Sequence, residues 1–350
     1  MRRVKTVGAM AICAAMTVVL AAQGGQAGKA PVDVIGSSGN MSPIISNLDE
    51  ALHFYVDLLG YQMPRQPRKI SHADVPFPVL LNNQGTPDAT LRWVSVFIPG
   101  KWRLELLEFG DIERTPVTAR PQDPGAMTLV LQVRDLDALL AKLKAAKVPV
   151  VTTGGQPIAL TSSNGKVRAV TVKDPVGHFV ELEQPDPLPA TGAPTDGNVL
   201  GSRVRITVAD TDDTLRLYRD KFGFKAQVGP FASDAARLHL MGLEKAQFRI
   251  TETAVPNVPD QLLEFIEFKG IDRKPLRGRI VDPGSSRIQL RVKDLPTAIR
   301  EFTSVGGVVT STNGQSVMVD KIPSVIVRDM NNIFVIMQQP APAPPATANR

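Results

Sequence analysis

The chain of 350 residues carries 40 Lys and Arg against 34 Asp and Glu, a net charge of +6, and 43% of its residues are apolar. That length and apolar share can bury the cores of two ordinary domains and exclude a chain that is disordered throughout. Three of the six net charges are Arg2, Arg3 and Lys5, so 6 − 3 leaves +3 for everything after the leader, too little to imply a nucleic-acid partner.

The first 27 residues join a basic start to an apolar run over 7–22 and to small residues ahead of Gly28, the pattern of a secretory signal removed after Ala27. The run is shorter than the roughly 20 apolar residues of a membrane span. A periplasmic or secreted protein with no stable membrane insertion after signal removal is therefore expected. The single cysteine, Cys13, lies inside the leader, so the mature chain is expected to have neither a thiol nucleophile nor a disulfide.

Beyond a small polar lead over 28–39, four segments read as a strand, a turn and a helix: SPIISNLDEALHFYVDLLG, LVLQVRDLDALLAKLKAAKVPV, RVRITVADTDDTLRLYRDKFGF and RIQLRVKDLPTAIREFTSVGGV. Asn47, Asp135, Asp210 and Asp294 suit helix N-caps, because a short acceptor satisfies free amides of the first turn. Apolar residues then recur at helical spacing, as in Leu52, Tyr55, Leu58 and Leu59. After each helix come alternating β-branched runs, with Asn164-Gly165 as a hairpin signal. A βαβββ module is thus predicted four times, over 40–110, 125–185, 199–269 and 284–338. The stretch from Glu105 to Gly125 returns from Glu264 to Gly284 with ten identities in twenty-one positions, so the chain is read as a duplicated α+β domain. The first copy spans 40–186 and the second 199–338, each expected to pair its own two modules. Residues 187–198 form a Pro/Gly linker and 339–350 a Pro/Ala-rich tail expected to be disordered.

With that order in hand, HFYVDLLGY in the first module and VRDLDALLAKLKAAKVPV and KDPVGHFVEL in the second resemble the vicinal oxygen chelate (VOC) superfamily, which includes glyoxalase I, bleomycin-resistance proteins and extradiol dioxygenases. The resemblance covers nearly all of the chain after residue 40. It implies modules paired into two tandem VOC domains, each a half-open barrel around a cleft, with metal ligands at the start of each first strand, usually His, and a Glu on each last strand. Lyases, isomerases, oxygenases and plain binders share this fold, so the resemblance alone does not set an activity. Carried over residue by residue, the first-strand positions are Asn40, Thr128, Arg203 and Arg287, and the last-strand positions are Glu105, Glu181, Glu264 and Ile336. None of the first four is His. A divalent metal wants imidazole, carboxylate or thiolate donors, and an arginine beside it would repel it. The second domain is therefore expected to hold no catalytic metal. Two functions stay open: a metal-free, cofactor-free small-molecule binder, the expected one, and a glyoxalase-type lyase, isomerase or dioxygenase using a divalent metal on Glu105 and Glu181 of the first domain.

Strand alternation says which way these residues point. Val204, Ile206 and Val208 share one face with the helix, which leaves Arg203, Arg205 and Thr207 on the cleft face. The same split sends Ile288, Leu290 and Val292 inward and Arg287, Gln289 and Arg291 to the cleft. If these two modules pair, four arginines converge with Glu264 and invite an anionic small molecule, since guanidinium forks match carboxylate and phosphate. The alternative is a solvated sheet face. The candidate site is completed by Asn40, Glu105, Thr128, Gln132 and Glu181. Glu108 and Glu267 point to the opposite face and are expected to pair with Arg114 and Arg273, bracing the turn. His178 is expected to be structural, and His72 falls in a stretch over 62–90 expected to loop across the cleft mouth. No nucleophile elbow, phosphate loop or metalloprotease motif occurs in the sequence.

Overall fold

The computed structural model describes residues 29–71, 73–74, 84–97, 102–162, 165–189, 197–319 and 321–341. The leader, His72, part of the expected cleft loop, most of the linker and most of the tail lie outside the described residues.

The four modules are present. The first holds β1 (Val34–Pro43), α1 (Leu48–Leu52, continuing as a π-helical stretch His53–Leu58), β2 (Arg68–Ile70), β3 (Thr90–Val96) and β4 (Arg103–Gly110). The second holds β5 (Met127–Val133), α2 (Leu136–Ala145), β6 (Ile158–Ser162), β7 (Gly165–Lys173) and β8 (Phe179–Asp186). The third holds β9 (Val199–Val208), α3 (Thr211–Leu215, continuing as Arg216–Lys221), β10 (Lys225–Val228), an extra helix α4 (Ala235–Leu240), β11 (Gln247–Val255) and β12 (Val258–Lys269). The fourth holds β13 (Ser286–Val292), α5 (Leu295–Thr303), β14 (Val308–Val309), β15 (Val317–Val319), β16 (Ile322–Arg328) and β17 (Phe334–Gln338). Each main helix starts where a cap was read: Asn47 accepts from the amides of Asp49 and Glu50, and Asp135, Asp210 and Asp294 from those of Ala138, Asp213 and Thr297.

The modules pair differently from the expectation. One sheet runs β14-β16-β17-β13-β1-β4-β3-β2, with β15 on β16, and joins the first module to the fourth. The other runs β10-β11-β12-β9-β5-β8-β7-β6 and joins the second to the third. The first strands meet antiparallel at the centre of each sheet, Ser42 opposite Arg287 in one and Thr128 opposite Arg205 in the other.

The cause lies in the repeated stretch. After β4 and again after β12 the chain leaves its sheet through an extended Pro-containing crossover instead of turning back, and the two crossovers clasp each other. The Asp282 carboxylate accepts from the amide of Thr115 at 3.1 Å, and Asp123 accepts from that of Lys274 at 2.8 Å. Val117 N–H donates to Pro283 O, and Leu276 N–H to Pro124 O. Each aspartate is also gripped by an arginine three residues earlier, Arg120 or Arg279, which holds it below the usual carboxylate range against the opposing pull of burial. Gly284 closes the clasp with φ +90, where a Cβ would stand 2.2 Å from Val117 O. The identities at Arg120/Arg279, Asp123/Asp282, Pro124/Pro283 and Gly125/Gly284 thus encode one clasp used twice.

A single apolar cluster joins α1, α2, α3 and α5 to one face of both sheets, with Phe54, Leu140, Leu217 and Phe302 packed against Leu104, Leu129, Val204, Ile206, Ile288 and Leu290. These are the strand residues that alternation assigned to the helices. The opposite faces carry the polar residues considered next. Glu108 and Glu267 do not pair with Arg114 and Arg273. Glu108 takes Arg92, while Glu267 takes Arg249 and the Thr211 amide at the start of α3. Arg114 and Arg273 donate instead to the carbonyls of Ile45 and Ala209, because the crossover carries them past the strand ends.

Candidate functional site

In the second sheet the cleft face is filled by its own charges. Arg205 Nη1 donates to Glu181 at 2.7 Å and its Nε to Glu264 at 2.8 Å, so one guanidinium spans the two last-strand glutamates. Arg203 takes the other oxygen of Glu264 at 2.5 Å and forks onto Glu183 at 2.8 and 2.9 Å. Glu181 and Glu183 come from β8, and Glu264 and the two arginines from β12 and β9. The expected excess of arginines therefore meets three carboxylates, and the formal balance is 2 − 3 = −1. Burial settles the remainder: it pushes Glu181 up, with Glu183 adding to it and Arg205 opposing. Glu183 is carried the other way, to about 2, because Arg203 outweighs its burial.

The extra helix α4 lies across this same face. Leu240 packs on Leu160 and Ala169, and Leu238 and Met241 on Ile266 and Phe268. Thr152 Oγ1 reaches across to Leu240 O at 3.0 Å. What remains beside Thr128, Glu181 and Arg205 is about 10 Å³, the space of one water at most. This half-barrel is shut.

The first sheet differs. Arg287 and Glu105 share its cleft face, with Arg287 Nη2 3.7 Å from Glu105, while Ser42 Oγ donates to the same carboxylate oxygen at 3.0 Å. Arg287 is 3% exposed, and its Nε and Nη1 have no hydrogen-bond partner among the described residues. Burial pulls this guanidinium below its ordinary value, and Glu105 offsets that only in part. A cavity of about 160 Å³ opens here, lined by Leu91, Trp93, Glu105, Arg287, Gln289 and Ile336 among others. Gln289 Nε2 donates to Gln338 Oε1 at 2.6 Å, which fixes both amides along one wall. Larger hollows occur beside β6–β8 and between the crossovers, about 540 and 640 Å³. Neither is lined by a buried polar group left without a partner, and both are open surface grooves.

The remaining residues singled out from sequence are scattered. The Asn40 backbone pairs with Arg103, and its side chain lies outside the described atoms. Gln132 lies over Gly201, where a Cβ would meet its Oε1 at 2.6 Å. Arg291 is exposed opposite Gly36, on the solvated rim. Arg203 and Arg205 do not converge with Arg287 and Arg291, since their strands belong to different sheets. Glu105 and Glu181 are separated for the same reason and cannot share an ion.

His178 is a brace between modules. Its Nδ1 lies 3.2 Å from Asp174, and its Nε2 lies 2.9 Å from Ser286 Oγ and 3.3 Å from Ser285 O. Asp174 also accepts from Tyr55 OH and from the amides of Val176, Gly177 and His178. Burial would lower His178, and the Asp174 charge outweighs it and raises it. At the matching place in the fourth module Ile333 replaces the histidine, and Asp329, buried without a counter-charge, is pushed up to about 6. The serine, histidine and aspartate align as in a hydrolase, but neither Ser286 nor His178 lines any of the four cavities named above.

The metal that the fold implies can be tested against these donors. In the second sheet a guanidinium stands between the two carboxylates that would be ligands. In the first sheet the matching positions are Glu105, Arg287, Ile336 and the backbone-paired Asn40. Among the described residues no group of three or more His, Cys, Asp or Glu side chains is placed to hold a metal ion. The donor sets do not fit a divalent cation.

Residues 43–182 match the model of the Glyoxalase/Bleomycin resistance protein/Dioxygenase superfamily. Glyoxalase I from Zea mays superposes with a TM-score of 0.55 at 14% identity, over 88% of this chain and 92% of that one. A dioxygenase candidate from Bacillus subtilis superposes with a TM-score of 0.55 at 12% identity, over 89% and 87%. Such identities show a shared fold and no more. No curated protein sequence matches the chain. The family model over 43–182 thus places the first two modules in the glyoxalase/bleomycin-resistance/dioxygenase superfamily, and the four βαβββ modules paired two by two share the fold of its solved structures.

Proposed function

We propose that the protein is an exported, metal-free binder of a small molecule, with the cleft of the first sheet as its working site and the second half-barrel as a structural one. The observation that carries this reading is the Arg205 guanidinium held between Glu181 and Glu264. A cation fixed by two charge-assisted hydrogen bonds in a nearly dry site supplies the positive charge that a metal would otherwise bring. The only cleft of the two with ligand-sized room, about 160 Å³, is then the one beside Arg287.

Elemental analysis of the purified mature protein tests the absence of a catalytic metal. Substoichiometric transition metal is expected, and addition of zinc, nickel or manganese should leave the melting temperature unchanged. One ion per chain, lost in the Glu181→Gln, Glu264→Gln double variant or in Glu105→Gln, would contradict the reading. Export rests on the basic and apolar leader. Protein from the native host should begin near Gly28, and a chain retaining Met1 would refute it.

A further inference from the structure

We propose that the first-sheet cleft binds a small organic monoanion, a carboxylate on a compact apolar or single-ring body, through the guanidinium of Arg287. The proposal rests on the reading of this cleft as a metal-free binding site and names its ligand class.

The two sheets make the comparison. In the second sheet each guanidinium of the cleft face is held by two carboxylates. In the first, Arg287 is just as buried, yet two of its nitrogens have no partner among the described residues and the third is 3.7 Å from Glu105, beyond hydrogen-bond reach. A buried cation left so poorly paired is strongly unfavourable, and an anion entering the cleft would supply the missing acceptors. Glu105 does not fill this role. Its carboxylate turns to Ser42 Oγ at 3.0 Å and keeps 22% of its side chain exposed.

The walls set the rest of the ligand. A volume of about 160 Å³ equals about five waters at ~30 Å³ each and is below the ~300 Å³ where pockets for drug-sized molecules begin. A ring bearing one carboxylate fits, whereas a nucleotide or peptide does not. Leu91, Trp93, Leu107, Ile326 and Ile336 offer apolar and aromatic contact to the body. A second negative charge on the ligand would meet Glu105, which selects for one.

Benzoate serves as probe, with its neutral counterpart benzamide, the dianion phthalate and inorganic phosphate as controls, titrated into the full mature chain by calorimetry and by the fluorescence of Trp93. Benzoate is expected to bind at least tenfold tighter than the three controls. Arg287→Met should weaken it at least tenfold, and Glu105→Gln should tighten it several-fold by removing the nearby negative charge. The second variant keeps the test decisive should the first fold poorly. Benzamide binding as tightly as benzoate would overturn the anion proposal while leaving a small-molecule cleft in place. Phosphate binding more tightly would overturn the organic body. No binding by any probe, or unchanged benzoate affinity in both variants, would overturn the proposal. A stoichiometric metal would instead overturn the reading beneath it.

Discussion

Arg205→Ala is expected to cost about 3–5 kcal/mol of folding free energy, the range for removing one partner from a buried ion pair. Arg205 is 4% exposed and bridges Glu181 and Glu264, themselves 1% and 5% exposed. Its removal leaves Glu181 without the guanidinium it is hydrogen-bonded to and loads Glu264 onto Arg203. The loss comes mainly from stranding carboxylates in a face sealed by α4, not from the net worth of the bond. Arg205→Met combined with Glu181→Leu, which removes the stranded charge with its partner, should therefore recover much of the deficit. Arg291→Ala, on the exposed rim, should stay within about 0.5 kcal/mol of wild type. Urea denaturation at pH 7 measures all three. A loss below about 1 kcal/mol in Arg205→Ala would mean that water reaches this network.

Acid should destabilise the protein through Glu183. Its folded value of about 2 lies below the ordinary 4.5, so its contribution is fully present above pH 4.5 and is lost as pH falls toward 2. Lowering from 4.5 to about 2 corresponds to about 3 kcal/mol, of which about 2 kcal/mol is gone by pH 3. Glu264 and Asp174 are also held low by Arg205 and His178 against their burial, and they act in the same direction. Glu181 is raised and acts oppositely, favouring the folded state as pH falls through its elevated value. In Glu183→Gln the stability difference between pH 7 and pH 3 should shrink by about 2 kcal/mol. An unchanged difference would show that Arg203 does not hold Glu183 ionised.

What the sequence disclosed was local. Caps at Asn47, Asp135, Asp210 and Asp294 and the alternation of Val204, Ile206 and Val208 are written within a few residues, and the structure follows them. Module pairing is not local. Whether β9 meets β5 or β13 depends on the reach of the crossovers and on the contact of Thr115 with Asp282, 167 positions apart. Alternation put Arg203 and Arg205 on the cleft face correctly, but their partners Glu181 and Glu183 belong to the other half of the chain, so the arginines looked unneutralised. Glu183, Ser42, Trp93 and Gln338 escaped notice for the same reason. Helix α4 could have been found, since Asp234 caps it before an apolar AARLHL. Nothing in the sequence, however, places it over the second cleft.

The proposal that one half-barrel is closed by its own ion pairs while the other binds a small anion is tested most directly by the stoichiometry of benzoate binding to the full chain. Calorimetric titration should give one site per chain, lost in Arg287→Met and retained in Arg291→Ala. Two sites per chain, or a single site insensitive to Arg287, would contradict the account.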